Sequence, residues 1–174
     1  MELLIGCGSN RAKKLSTQDR PAWAGLVTLD YEARHKPDVI HDLHNRLPFE
    51  DNSADEIHAY ECLEHVGRQG DYKFFFWQFS DFWRVLKHGG ILFGTVPLPT
   101  SVWAWGDPSH TRVIQKESFV FLHQPSYEQL GRTAMSDFRS IYQADFDVIH
   151  SKENGDVLEF ALKAVKPSRI KQCT

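Results

Sequence analysis

Seven short apolar runs, each bounded by turn residues, constrain the fold of this chain more than any other feature. They alternate with helix-like stretches through most of the sequence, which is typical of a mostly parallel sheet covered by helices. In order, the runs read ELLIG, GLVTLD, DVIHDL, ADEIHAYECL, GGILFGTVP, DFDVIHSKE and DVLEFALKAV. The last two flank Asn154 and Gly155, a strong short signal for a hairpin. The pattern therefore predicts an α/β fold whose sheet ends antiparallel.

One amphipathic helix is predicted between the fourth and fifth runs. Its apolar face consists of four residues at helical spacing, namely Phe75, Phe79, Phe82 and Leu86. We expect that face to cover the sheet and the helix to end at Gly89 or Gly90. Three further aromatic residues, Phe74, Trp77 and Trp83, widen the apolar surface. They leave two interpretations open, a deep core or a homodimer contact.

The length and charge of the chain favour one globular domain. We place a single domain at residues 1–167 and a flexible tail at residues 168–174, because 174 residues suffice to bury one core. The formal net charge of −3 supplies no cationic field for a phosphate backbone, so nucleic acid is not supported as a partner. No apolar run approaches the roughly 18 residues of a membrane span, and the first residues do not resemble a signal peptide. The sequence thus predicts a cytoplasmic protein that does not bind a membrane.

The cysteines argue against both disulfides and metal binding. Cys7, Cys62 and Cys173 lie far apart and form no C-x-x-C pair. No cluster of metal-ligand residues is evident at regular spacing in the sequence. We therefore expect a reducing compartment and no metal.

A G-x-G turn follows the first apolar run. Gly6 and Gly8 allow positive φ angles and a close approach of the backbone to a ligand. A hydride-transfer dinucleotide fold needs a third glycine three residues later, where Arg11 stands. Asp30 ends the second run, 22 residues after Gly8 (30 − 8), where a carboxylate can accept hydrogen bonds from both hydroxyls of a ribose. The predicted ligand therefore has a ribose, and the site has no cradle for a pyrophosphate.

Four pieces of the sequence, in order, resemble the class I S-adenosylmethionine-dependent methyltransferases, of the small type that begins at its first strand. They are LLIGCGSN, LVTLDYE, DVIHDLHNRLPFEDNSADEIHAYECLEHV and FWRVLKHGGILFGTVP, and the likeness extends to about Pro97. The resemblance implies a Rossmann-like, seven-stranded, mostly parallel sheet with helices on both faces and an antiparallel last strand. It also implies S-adenosyl-L-methionine as cofactor and S-adenosyl-L-homocysteine as product.

The resemblance assigns binding roles to residues at the strand ends. Gly6, Cys7 and Gly8 would line the methionine and ribose part of the cofactor, Asp30 would hold the ribose, and Tyr31 would lie beside the adenine. These positions are also where open α/β sheets hold their ligands.

Three further residues match family positions on the third and fourth strands. Asp42 and Leu43 would read the adenine edge through a carboxylate and a backbone amide, and Tyr60 would touch the methionine moiety. Three features depart from the family. Leu4 stands where a polar or acidic residue is usual, and Glu61 stands where close relatives often have His. Residues 11–25 lack the periodicity of the usual first helix.

The candidate catalytic residues are Glu61, His65 and His110. Glu61 and His65 are four apart in ECLEHV, so a helical turn would place both near the methyl group, although a solvated corner is the alternative. His110 follows the fifth run in WAWGDPSHTR, where we expect it to face the acceptor together with Arg112. There it is a candidate general base or a structural histidine. Of the tryptophans in that stretch, at most one is expected to face the methyl group.

The predicted function is methyl transfer from S-adenosylmethionine to an O, N or C nucleophile. The acceptor is a small molecule or an exposed group of a macromolecule. One alternative is a non-catalytic S-adenosylmethionine-binding module or regulatory subunit. A second, a nicotinamide-dependent oxidoreductase, is disfavoured by Arg11 at the third-glycine position.

Overall fold

The computed structural model describes residues 1–171 of the chain and has a seven-stranded sheet at its centre. The strands are β1 (Glu2–Ile5), β2 (Leu26–Asp30), β3 (Val39–Ile40), β4 (Ala54–Tyr60), β5 (Leu86–Pro97), β6 (Phe146–Asn154) and β7 (Val157–Ala164). Their spatial order is β3-β2-β1-β4-β5-β7-β6. The first five strands pair in parallel, and β7 lies antiparallel between β5 and β6. The predicted α/β fold with an antiparallel last strand is confirmed.

The main helix, α1 (Tyr72–Val85), connects β4 and β5 as predicted. Asp71 caps its N-terminus by accepting a hydrogen bond from the Phe74 amide at 3.0 Å. Its buried apolar side chains are Phe76, Phe79, Phe82 and Val85. The predicted end at Gly89 or Gly90 is wrong, because the backbone becomes extended at Leu86. The two glycines instead occupy an irregularity in β5, where pairing with β4 shifts register.

The largest hydrophobic core lies between the sheet and α1. It also receives side chains from the 3₁₀ helix Lys116–Leu122. A second 3₁₀ helix, Gln124–Gln129, follows it. Of the extra aromatic residues, Trp83 donates from its indole nitrogen to the Val165 carbonyl at 3.0 Å. Trp77 remains 39% exposed, so the homodimer contact stays a prediction.

An irregular segment covers part of the opposite face of the sheet. Among residues 1–171, no helix forms between β1 and β2, and residues 9–25, here called the strap, cross that face as coil. Leu15 and Trp23 of the strap pack on a small cluster formed by Leu4, Cys7 and Tyr60. The strap occupies the chain segment where the family resemblance places a first helix.

A buried polar network joins the strap to the sheet. The Lys13 ammonium lies 3.0 Å from a carboxylate oxygen of Glu2 and 2.7 Å from one of Glu56. The same Glu56 oxygen lies 2.9 Å from Nε2 of His58, whose Nδ1 lies 2.6 Å from the Tyr60 hydroxyl. The Glu2, Glu56, His58 and Tyr60 side chains lie on one sheet face because their positions in β1 and β4 alternate with the residues of the main core, and Lys13 reaches them from the strap.

We expect His58 to stay neutral in moderately acidic solution. Burial above all, together with the Lys13 charge and against a smaller opposing effect of Glu2, lowers the pKa of its imidazole to about 3. An unfolded histidine takes up a proton near pH 6.5. Between these values the proton binds the unfolded chain preferentially, so this group contributes stability that falls as the pH falls.

Histidine ring resonances measured by NMR between pH 7 and pH 4 test this expectation, with a His58→Gln variant used to assign the signal. The His58 signal should show no titration over that range. A midpoint above pH 5 would contradict the buried, neutral state.

Part of the predicted flexible tail, residues 168–174, lies within the described chain. Residues 168–171 are described, and the Arg169 guanidinium pairs with the buried Asp145 carboxylate at 2.7 Å. Residues 172–174 lie outside the described part of the chain. The single domain at residues 1–167 and the flexibility of the tail stay predictions. Within the described residues, the structure has no helix that is both long and apolar enough to cross a membrane.

Candidate active site

A cavity of about 520 Å³ opens at the carboxyl ends of β1, β2 and β4, and we call it the main cavity. Seven predicted site residues line it, namely Gly6, Asp30, Tyr31, Asp42, Leu43, Glu61 and His65. Seven other lining residues were not predicted, namely Glu32, His35, His41, His44, Cys62, Val66 and Ser109. The only sequence signal for His41 and His44 was their position beside Asp42.

The G-x-G loop approaches the cavity with its backbone. Gly6 has a φ of 58°, and a Cβ added there would lie 2.2 Å from the Cys62 Sγ atom. Gly8 has a φ of 50°, and apart from its chain neighbours no atom of residues 1–171 would lie within 4 Å of such a Cβ. The Cys7 side chain is buried away from the cavity, and burial raises the pKa of its thiol. Gly6 is therefore required for both its backbone angle and its lack of a side chain, whereas Gly8 is required for the angle alone.

Gly6→Ala should destabilise the protein far more than Gly8→Ala. Both variants force alanine into the left-handed region, at a cost of about 1–2 kcal/mol. Gly6→Ala adds overpacking against buried Cys62, worth about 1–3 kcal/mol more. Urea unfolding checks the difference, and a Gly6→Ala/Cys62→Ala double variant should regain part of the loss. Equal losses in the two single variants would contradict the packing argument.

Arg11 holds the G-x-G loop in place. Its guanidinium donates to the carbonyls of Cys7 and Gly8, and also to the His35 carbonyl at 2.7 Å. The residue at the third-glycine position thus ties the loop after β1 to the loop after β2.

The Asp30 carboxylate is fixed by two backbone amides. Its Oδ2 accepts from the Gly8 amide at 2.8 Å, and its Oδ1 accepts from the Glu32 amide at 2.9 Å. Each carboxylate oxygen has two lone pairs, so each retains one acceptor position. Because Asp30 also lines the main cavity, a pair of neighbouring hydroxyls is a suitable ligand for these positions.

The far wall of the main cavity comes from the loops after β2 and β3. Tyr31 presents an aromatic ring that is 70% exposed, and Leu43 lies in the β3–β4 loop. The Asp42 Oδ1 atom accepts from the amide of His44 at 2.9 Å, and this hydrogen bond lowers the pKa of the Asp42 carboxyl. Arg84 of α1 anchors the same loop by donating to two of its backbone carbonyls, those of Leu47 and Phe49.

Glu61 follows β4 with a strained backbone. Its φ of 48° is unusual for a residue other than glycine, and its amide donates to the Thr95 carbonyl at 2.9 Å. Such outliers concentrate at functional sites. Glu61 and His65 line both the main cavity and an adjoining cavity of about 300 Å³, which we call the side cavity.

His110 lines the side cavity, together with Glu64 and Trp103. Trp103 lies in a short helix, α2 (Val102–Gly106), whereas Trp105 is outside this lining. Burial raises the pKa of the Glu64 carboxyl to about 8. Sequence reasoning missed Glu64, since nothing in ECLEHV separates a buried glutamate from a solvated one.

Three predicted site residues lie outside both cavity linings. They are Cys7, Gly8 and Tyr60. The Tyr60 hydroxyl accepts from the Leu15 amide of the strap at 3.0 Å, and burial raises its pKa to about 12. Tyr60 therefore fastens the strap to the sheet.

The expectation that Arg112 faces the acceptor is wrong. Its side chain is 6% exposed and donates to the Leu63 carbonyl at 2.8 Å and to Gln78 of α1 at 2.5 Å. Burial lowers the pKa of the guanidinium to about 10. The side chain points into the protein, where these two acceptors receive hydrogen bonds from its guanidinium group.

A sequence profile described as "Methyltransferase domain" matches residues 3–94, more than half of the chain. The chain belongs to this methyltransferase domain family. The matched region runs from β1 into β5 and so contains the main cavity's predicted residues, whereas His110 lies beyond it. No curated protein sequence matches the chain.

Solved structures share the fold of this methyltransferase domain. One is in the complex between the Haloferax volcanii Trm112 methyltransferase activator and a methyltransferase, with a TM-score of 0.61, 15% identity, and coverage of 94% of this chain and 81% of that one. An Archaeoglobus fulgidus SAM-dependent methyltransferase has a TM-score of 0.55 and 14% identity, with coverage of 93% of this chain and 85% of that one. The N-methyltransferase NodS from Bradyrhizobium japonicum WM9, in complex with S-adenosyl-L-homocysteine, has a TM-score of 0.54 and 15% identity, with coverage of 94% of this chain and 76% of that one. At these identities the likeness shows the fold alone.

Proposed function

We propose that the chain transfers a methyl group from S-adenosylmethionine to an O, N or C nucleophile of an acceptor. The observation that carries the proposal is Asp30, whose carboxylate faces the main cavity with one acceptor position left on each oxygen. The family match supports the reaction class. When bound, S-adenosylmethionine supplies a methyl group made electrophilic by its sulfonium sulfur.

The main cavity offers a separate group for each part of the cofactor. Asp30 would accept hydrogen bonds from the two ribose hydroxyls, and Gly6 would admit the ligand close to the backbone. Tyr31 and Leu43 would flank the adenine, with the Asp42 carboxylate at its edge. A cavity of about 520 Å³ is within the usual range for small-ligand sites.

Glu61 is proposed to contact the methionine end of the cofactor. It lies at the junction of the two cavities, and its carboxylate can pair with an ammonium group. Leu4, at the position where the family usually has a polar residue, is buried and cannot serve. Gly8, Cys7 and Tyr60 would act indirectly, because Gly8 orients Asp30 and the other two pack beneath the loop.

The acceptor is proposed to enter through the side cavity, where His65 and His110 lie. Alignment of donor and acceptor supplies much of the rate in such a displacement. A base is needed only when the attacking atom carries a proton that must leave. The chain's contribution is therefore chiefly orientation.

Calorimetry with S-adenosylmethionine, S-adenosylhomocysteine and NAD tests the proposal. The two sulfur-containing ligands should bind with one site per chain, and NAD should bind at least tenfold more weakly. The reason is that the site has a ribose carboxylate but Arg11 at the third-glycine position. Tighter binding of NAD would refute the assignment of the cofactor.

Turnover requires a second measurement. Release of S-adenosylhomocysteine should be followed while fractionated metabolite pools are supplied as acceptors. Release of S-adenosylhomocysteine in the presence of one of the fractions supports the proposal that the chain is a methyltransferase. Cofactor binding with no turnover of any fraction or exposed macromolecular group would favour the alternative, a non-catalytic binding module.

A further inference from the structure

Glu64 is a buried carboxylate that accepts no hydrogen bond from another residue of the described chain. It lies in the 3₁₀ turn Leu63–His65, is 2% exposed, and neither of its carboxylate oxygens has a hydrogen-bond partner outside Glu64 itself among residues 1–171. The Nδ1 atom of His110 is likewise buried without a partner within that part of the chain. Unpaired buried polar groups are rare in native proteins, and each calls for an explanation such as an ion.

Glu64, His65 and His110 stand close enough to share one ion. One ligand atom from each residue lies within 4.8 Å of the other two. Nitrogen and oxygen ligands bind Zn²⁺ tetrahedrally at about 2.0–2.2 Å, so two ligand atoms of one ion are roughly 3.3–3.6 Å apart. The distances among the three atoms would therefore have to shorten by at most about 1.5 Å for all three to coordinate one ion.

The hydrogen bonds of His65 leave its Nε2 atom available. Nδ1 lies 3.2 Å from the Ser109 carbonyl oxygen and 3.1 Å from the Ser109 hydroxyl. That hydroxyl donates its proton to Asp107 at 2.6 Å, so both Ser109 oxygens act as acceptors and Nδ1 must carry the proton. The lone pair of the neutral ring is then on Nε2. Histidine ligands of metals are oriented by this same kind of contact to the other ring nitrogen.

A second cluster of the same composition serves as a comparison. Glu2, Glu56 and His58 also place three ligand atoms within 4.8 Å, but there the Lys13 ammonium already supplies the positive charge. In the described chain no lysine or arginine forms an ion pair with Glu64, and the Arg112 guanidinium attracts the carboxylate only at longer range. The side cavity is lined by further carboxylates from Glu61, Asp107 and Asp156, and its described lining contains no lysine or arginine.

We propose that Glu64, His65 and His110 bind one divalent transition-metal ion, of the Zn²⁺ or Co²⁺ type, at the wall of the side cavity. Two imidazoles and one carboxylate are a ligand set found in catalytic zinc sites, and imidazole favours these ions over Mg²⁺ and Ca²⁺. Three protein ligands leave coordination positions open toward the side cavity. The role of the ion rests on the proposed function, since it would hold an oxygen or nitrogen atom of the methyl acceptor.

The test is titration of chelator-treated protein with Co²⁺, followed by visible absorption, and with Zn²⁺, followed by calorimetry. One equivalent should saturate both signals, and Zn²⁺ should raise the melting temperature. Glu64→Gln and His110→Ala should each weaken binding at least tenfold. His150→Ala removes an exposed histidine of β6 and should bind like the unaltered protein.

Circular dichroism shows whether each variant folds. If Glu64→Gln does not fold, the metal affinity of His110→Ala provides the test. Absence of a saturable Co²⁺ signal, or unchanged affinity in folded His110→Ala, would overturn the proposal. Binding of S-adenosylhomocysteine is measured in parallel on the same samples. A protein that binds metal and no cofactor refutes only the proposed function, and one that binds cofactor and no metal refutes only the metal site.

Discussion

Asp30→Ala should weaken binding of S-adenosylhomocysteine by about two orders of magnitude or more. The substitution removes two hydrogen bonds from hydroxyls to an ionised carboxylate, each worth about 1.5–3 kcal/mol. Every 1.4 kcal/mol corresponds to about a tenfold change in the dissociation constant. Calorimetry at fixed pH and salt measures the change directly.

Two further variants separate binding from folding. Glu32→Ala removes the neighbouring cavity carboxylate but keeps the backbone amide that donates to Asp30, so affinity should stay within about threefold of the original. Asp30→Asn keeps the side-chain volume, loses the charge and should bind nearly as weakly as Asp30→Ala. Full affinity in a normally melting Asp30→Ala variant would show that the carboxylate only supports the turn.

The sheet was predictable because its signals are local. Buried strands of a parallel sheet read as short apolar runs, and the pair Asn154 and Gly155 marked the last hairpin. The face of α1 was also predictable at Phe79 and Phe82, both buried. Its end was not, because the glycines at 89–90 are as compatible with a strand irregularity as with a helix terminus.

The strap was not predictable because long-range contacts order it. Residues 11–25 lack helical periodicity, and nothing in their sequence shows that Lys13 reaches carboxylates of β1 and β4. Local sequence patterns carry no information about which charged side chains form a buried ion pair with each other. The same reason explains why Lys13 was not singled out.

The position of the candidate site at the strand ends was predictable from the sequence, but the side-chain directions in its irregular segments were not. Gly6 and Asp30 were expected to line the same ligand site, because the carboxyl ends of neighbouring parallel strands lie at one edge of the sheet. The burial of Glu64 and the inward turn of Arg112 depend instead on how the 3₁₀ turn and the segment after β5 pack together. Side-chain direction in irregular segments follows tertiary contacts, so spacing alone placed Arg112 wrongly.

Lys13→Met should lower the free energy of unfolding by about 3–5 kcal/mol, the usual cost of breaking a buried ion pair by removing one partner. The Lys13 side chain is 4% exposed, and its ammonium also donates to the carbonyls of Arg20 and Ala22 in the strap. Methionine fills similar space but leaves Glu2 and Glu56 facing each other without a cation. Domains of this kind are stable by about 5–15 kcal/mol, so the loss is a large share of the total.

The matched control is the next residue, Lys14, which is exposed and whose ammonium lies 5.4 Å from the Tyr60 ring. Lys14→Met should cost less than about 1 kcal/mol.

Because the expected loss arises from uncompensated charge, adding Glu2→Gln and Glu56→Gln to Lys13→Met should restore most of the stability. Denaturant unfolding of the four proteins measures these differences, and hydrogen exchange should show the faster opening of residues 9–25 in Lys13→Met. Equal stability of Lys13→Met and Lys14→Met would mean that the network does not hold the strap, and packing of Leu15 and Trp23 alone would have to account for its order.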